Sequence, residues 1–195
     1  MICFPHAKGK YQGFKMKSLI ALLIGIVSWP LLEYLLHRFL GHDLKIKTLF
    51  KKEHTRHHAE TNYFAPLTYK LLAAIPICTL TVLLVGLVTN SWEYGISFTV
   101  GFIAMFSLYE WFHWSIHAKA PKTKMGLRLR KHHLAHHFHN PKMNHGVTTM
   151  LIDRLAGTYH PVDIVKVPKN ISLPWLFAAG TKNLDAKFSQ DFQLK

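Results

Sequence analysis

Leu71–Val88 (LLAAIPICTLTVLLVGLV) and Tyr94–Tyr109 (YGISFTVGFIAMFSLY) are two uncharged runs joined by Thr89-Asn90-Ser91-Trp92-Glu93. A straight membrane crossing needs roughly 20 mostly apolar residues, with about 17 the lower limit. Leu71–Val88 reaches that length alone. Tyr94–Tyr109 reaches it by continuing into Glu110-Trp111-Phe112-His113-Trp114, whose aromatic residues suit the membrane interface. An earlier run, Ser18–Leu32, contains Pro30 and continues into Glu33-Tyr34-Leu35-Leu36. It reads as a full span or as a kinked, partly re-entrant helix. Its basic flank and apolar core fit a signal peptide, but no small-residue cleavage site follows. The expected class is therefore all-α, an integral membrane helical protein.

Charge gives an orientation. The turn between the last two runs holds no Lys or Arg, whereas residues 37–66 and 117–145 are rich in both. The positive-inside rule places those two segments on the cytoplasmic side. The chain has 24 Lys and Arg against 10 Asp and Glu. That excess calls for an anionic partner, either nucleic acid or the inner leaflet of a membrane. The concentrated apolar runs favour the membrane, and no nucleic-acid partner is expected. Cys3 and Cys78 lie far apart, so neither a disulfide framework nor a zinc–thiolate site is implied. Residues 1–17, with Lys8, Lys10, Lys15 and Lys17, read as a basic N-terminal tail. Residues 18–165 form the membrane domain, and 166–195 a C-terminal tail.

Histidine is over-represented, at 15 of 195 residues. Ten of these form four clusters: His37-x4-His42, His54-x2-His57-His58, His113-x3-His117 and His133-x2-His136-His137. Residues three or four apart on a helix share one face. Each cluster can thus aim two or three imidazoles at one point. Two clusters precede the apolar hairpin and two follow it, so the hairpin brings them to one end. Ten imidazoles suit two metals with about four or five ligands each. Imidazole serves Zn, Cu, Fe and Ni alike. Structural zinc normally takes four ligands, usually with cysteine among them. Soluble di-iron bundles use four carboxylates and two histidines, a set missing here. Glu33 and Glu110 precede His37 and His113 by four and three residues. Each is placed to accept the other ring N–H of its histidine, fixing the tautomer. His6 and His160 read as structural or exposed. His132, His139 and His145 stay open.

The stretch Glu33–His42 (EYLLHRFLGH) resembles the first histidine box of the fatty acid hydroxylase superfamily, which includes fatty acid 2-hydroxylases and sterol desaturases. His132–Tyr159 (HHLAHHFHNPKMNHGVTTMLIDRLAGTY) resembles its last box and the G-V-T-x4-D-x3-G-T tail. All four boxes occur in the family order over about residues 30–160. The resemblance implies a cytosolic histidine-rich cap holding two iron ions, with zinc able to replace them in a purified protein. It implies O2 activation at reduced metal and hydrogen abstraction from a lipid C–H bond. His37, His42, His54, His58 and His136 would serve one metal, and His57, His113, His117, His133 and His137 the other. Asp153 and Thr158 match the tail, with a structural role in closing the histidine-bearing segment over the site. The third and fourth boxes are closest to the 2-hydroxylase branch, which makes the expected substrate a fatty acyl chain. The alternative is a sterol or carotenoid hydroxylase or desaturase with the same centre. No cytochrome b5 domain is fused in this sequence, so electrons are expected from a separate cytochrome b5-like or ferredoxin-like donor. A metal transporter would place polar ligands near the bilayer midplane. The uncharged cores of the last two runs have none.

Overall fold

The computed structural model describes residues 6–171 and 173–195, with the backbone alone for 6–12 and 14. Cys3, the first five residues of the basic tail and the ring of His6 lie outside that description. The chain is mostly helical. Helix α1 (His6–Leu35) runs into a π-helical segment (Leu36–Asp43), followed by α2 (Leu49–Ala59), α3 (Leu67–Thr89), α4 (Trp92–Ala118), α5 (Lys124–Phe138) and α6 (Leu151–Leu155). Strands β1 (Val165–Val167) and β2 (Phe192–Leu194) complete it. Three segments are long and apolar enough to cross a membrane: Lys15–Asp43, Leu67–Thr89 and Trp92–Ala118. Each extends the corresponding uncharged run at both ends. Pro30 lies inside α1 without ending it.

The chain divides into two compact units. The first comprises residues up to Trp29 together with Pro66–Leu108. Its helices touch where side chains are missing. A Cβ on Gly25 would lie 2.0 Å from the Phe98 carbonyl oxygen, and one on Gly101 2.0 Å from that of Leu22. Small residues let membrane helices approach this closely. Beside them Trp29 packs edge-on against Phe102 and Phe106, at 5.2 and 4.8 Å between ring centres. The Thr81 and Thr99 hydroxyls bond across α3 and α4 at 2.9 Å. Asn90, in the left-handed region at φ 50°, ends α3 and turns the chain into α4. Gly101→Ala is expected to lower stability by about 1–3 kcal/mol, the usual cost of overpacking. Thermal unfolding in detergent measures this, and an unchanged midpoint would contradict the crossing.

The second unit comprises Pro30–Ala65 and Tyr109–Lys195. Here the boundary expected at residue 165 is corrected. It cuts through β1, and residues 166–195 are a packed part of the unit. Val165 pairs with Phe192 and Val167 with Leu194 in a parallel two-stranded sheet. Parallel strands need a long crossover, and residues 168–191 supply one whose apolar side chains close a core. Leu173, Trp175, Leu176 and Phe188 pack there with Ile116 and Leu134. The Trp175 indole N–H donates to the Ile116 carbonyl at 3.0 Å, tying this core to α4. Short apolar positions spaced by polar ones gave no helical period from which to read it.

Candidate metal centre

The π-helical segment explains the first histidine cluster. Residues five apart on an α-helix lie about 140° apart around the axis, so His37 and His42 would diverge there. The i→i+5 repeat of a π-helix brings them onto one side, and such segments are frequent at functional sites. Their ring centres are 5.3 Å apart. Cluster two lies on α2, whose first turn is capped by the Thr48 hydroxyl accepting the Lys51 N–H at 3.1 Å. Cluster three ends α4. Cluster four lies on α5, capped in the same way by Thr123.

The ten clustered histidines fall into two groups. Ring nitrogens of His37, His42, His54, His58 and His136 lie within 4.8 Å of one another, and so do those of His57, His113, His117, His133 and His137. The groups abut where His58 stacks on His137, 4.1 Å between centres and 10° from parallel. The His136 Nε2 faces Nε2 of His37, His42 and His58 at 2.9, 3.0 and 3.2 Å. The His133 Nε2 faces those of His117 and His137, both at 3.0 Å.

The contact between His37 and His136 is not an ordinary hydrogen bond. The His136 Nδ1–H donates to the Met143 carbonyl at 2.7 Å, and the His37 Nδ1–H to the His145 carbonyl. In neutral rings, both facing Nε2 atoms then carry bare lone pairs. Burial, reinforced by neighbouring imidazoles, holds His54, His133, His136 and His137 well below the usual histidine range. Burial likewise lowers His58 to about 3. Protonation therefore does not relieve the contacts at neutral pH. Two nitrogens at right angles about an ion, each about 2.0–2.1 Å from it, would sit about 3 Å apart. The donor set fits metal.

The expected carboxylate acceptors are partly corrected. Among the described residues Glu33 bonds no histidine ring. Its carboxylate accepts the Val147 N–H, the Thr148 N–H at 3.2 Å and the Thr148 hydroxyl at 2.7 Å. It thus holds the loop after α5, because backbone donors left without secondary structure must be satisfied. Asp153 accepts from His132 Nε2, the His145 and Gly146 N–H groups and the Thr158 hydroxyl, at 2.7–3.0 Å. Glu110 is half-buried on α4. Backbone carbonyls orient the rings of His37, His136 and His57, the last by donation to the Tyr63 carbonyl at 2.7 Å. Carbonyls carry no side-chain signature, which is why sequence reading missed them.

Among the open histidines, His132 is paired with Asp153, and the His139 Nε2 accepts the Lys166 N–H at 2.8 Å. His145 is buried, with its ring centre 5.3–5.7 Å from those of His37, His42 and His136. Its Nε2–H donates to the Lys142 carbonyl at 3.1 Å. Asn144 bonds the backbone of His160 on both sides. Arg130, unremarked in the sequence, is buried and donates to the carbonyls of Ser115, Lys119 and Gly126, locking the end of α4 to α5. Phe64 packs its ring against His57, His113 and His117, 5.1–5.8 Å between centres. Phe138 lies 5.8 Å from His137, and Leu67 is exposed.

A family model described as fatty acid hydroxylase matches residues 22–158. The chain belongs to the fatty acid hydroxylase family. It is 27% identical over 168 residues to a dihydroceramide fatty acyl 2-hydroxylase of Arabidopsis thaliana, covering 81% of this chain and 68% of that protein. It is 28% identical over 144 residues to the ceramide very long chain fatty acid hydroxylase SCS7 of Saccharomyces cerevisiae, covering 70% of this chain and 37% of that one. The human fatty acid 2-hydroxylase is 28% identical, with 71% of this chain and 39% of that one covered. A solved structure of full-length Scs7p, with only its hydroxylase domain visible, superposes with a TM-score of 0.57 at 25% identity, over 73% of this chain and 57% of that one.

Proposed function

We propose that this protein is a multi-pass membrane hydroxylase that uses O2 and a histidine-held di-iron centre to oxidise a long-chain lipid. The substrate is a fatty acyl chain, attacked at its 2-position, and the centre lies on the cytoplasmic side. The single observation that carries the reading is the pair of five-imidazole groups with mutually facing ring nitrogens. Family membership and the names of the relatives support the substrate class. In this reading His37, His42, His54, His58 and His136 hold one iron. His57, His113, His117, His133 and His137 hold the other, with zinc able to fill both. When bound, the iron pair would supply reductive O2 activation and the oxidising power that an unactivated C–H bond requires.

The chain's own groups do the rest. The Met143, His145 and Tyr63 carbonyls keep His136, His37 and His57 in the tautomer whose Nε2 is bare. Glu110 is assigned the same task toward His113. The rings of Phe64 and Phe138 give an acyl chain an apolar approach and exclude water. One oxygen atom enters the C–H bond and the other leaves as water. That balance takes two electrons and two protons, the electrons from a separate cytochrome b5-like or ferredoxin-like donor. The test is lipid analysis of a host grown under 18O2 with the wild type or a His57→Ala, His137→Ala double variant. The wild type should yield a 2-hydroxy acyl lipid carrying one 18O, and the variant none. Equal product in both would defeat the assignment.

A further inference from the structure

We propose that Glu53 and Tyr63 are positioning residues that aim the His57 ring into the second histidine group. The proposal rests on reading that group as metal-holding. Buried carboxylates need strong partners, and Glu53, 9% exposed and next to His54 on α2, would ordinarily be read as a ligand. It is absent from both groups. Instead its Oε2 accepts the Tyr63 hydroxyl. The Tyr63 ring also lies under the Arg56 guanidinium, 3.8 Å from its centre, and Arg56 bonds the Glu60 carboxylate at 3.3–3.4 Å. The Tyr63 N–H closes a turn onto the Glu60 carbonyl at 2.8 Å.

The Tyr63 carbonyl, held by all of this, is the acceptor for the His57 Nδ1–H at 2.7 Å. The helix that carries His57 thus builds the acceptor for its own histidine, from Glu53 one turn earlier and Arg56 beside it. A charge-assisted bond from a phenol to a carboxylate is strong and directional. It fixes a loop residue that has no regular secondary structure to hold it. A mere staple between loop and helix would change overall stability. A positioning device changes affinity at one metal site and spares the other. Losing such an outer partner typically costs about 10–100-fold in metal affinity.

The test titrates cobalt(II) into the full chain in nanodiscs, reading visible absorption for each site and calorimetry for affinity. Wild type should take up about two ions. Tyr63→Ala and Glu53→Ala should weaken one of them about 10–100-fold, the same one that His57→Ala weakens. In a His57→Ala background they should cost nothing further, since their effect passes through that ring. Glu53→Gln keeps an acceptor and should restore most of the affinity. Tyr63→Phe deletes only the hydroxyl and carries the test if Tyr63→Ala does not fold. Equal weakening of both sites, no weakening, or a persistent cost without His57 would overturn the proposal. A wild-type chain that takes up no cobalt would overturn the metal reading itself, and this proposal with it.

Discussion

Replacing His136 with alanine is expected to abolish oxygenated lipid and to leave about one metal ion per chain instead of about two. His136 is the hub of the first group. Its Nε2 faces three other Nε2 atoms within 3.2 Å, and its Nδ1 is fixed by the Met143 carbonyl. Removing it takes away one donor and unlinks His37, His42 and His58, which meet around it. The loss in product should be on the order of a hundredfold or more, beyond what outer partners typically cost. His145→Ala is the contrasting variant. His145 packs against the same rings, but its Nε2 is committed to the Lys142 carbonyl, and the carbonyl it gives His37 is backbone. It should retain both ions. Elemental analysis of purified protein, paired with product analysis, separates the two. A His136→Ala chain with wild-type metal and product would remove the first group from the centre.

The reach of sequence reading follows from what each feature leaves in the side chains. Uncharged runs are long, so the three apolar segments were legible, with ends short by several residues because aromatic and charged residues continue the same helices. Histidine spacing was legible for the clusters on α2, α4 and α5, where three- and four-residue intervals match an α-helix. His37 and His42 were grouped by spacing as well, but an interval of five diverges on an α-helix and closes onto one side only in the π-helical segment found there. Glu33 sits one turn before His37, yet it faces backbone donors more than a hundred residues away. Proximity in sequence could not reveal that. The C-terminal core was missed because its strands are three residues each and pair across a long crossover.

Asp153→Ala is expected to cost about 3–5 kcal/mol, the usual penalty for removing one partner of a buried ionic network. Asp153 is 0% exposed and satisfies four donors at once: a ring, two backbone N–H groups and a hydroxyl. The alanine variant leaves all four buried without their acceptor. Two of them, the His145 and Gly146 amides, fix the loop whose carbonyl orients His37, so damage to folding and to the first histidine group should appear together. Asp153→Asn separates charge from shape through pH. Burial alone would raise this carboxyl, but the bonds from His132, Gly146 and Thr158 outweigh it and hold it below the ordinary value of 3.8. A depressed carboxyl contributes fully above its unfolded value, roughly 3.9. That contribution is lost as pH falls through the lower folded value. The stability gap between wild type and Asp153→Asn should therefore hold steady between about pH 7 and 5 and narrow below about pH 4. Denaturation at each pH in detergent measures it. A gap that widens on acidification would mean that the ionised carboxylate is not what holds this loop.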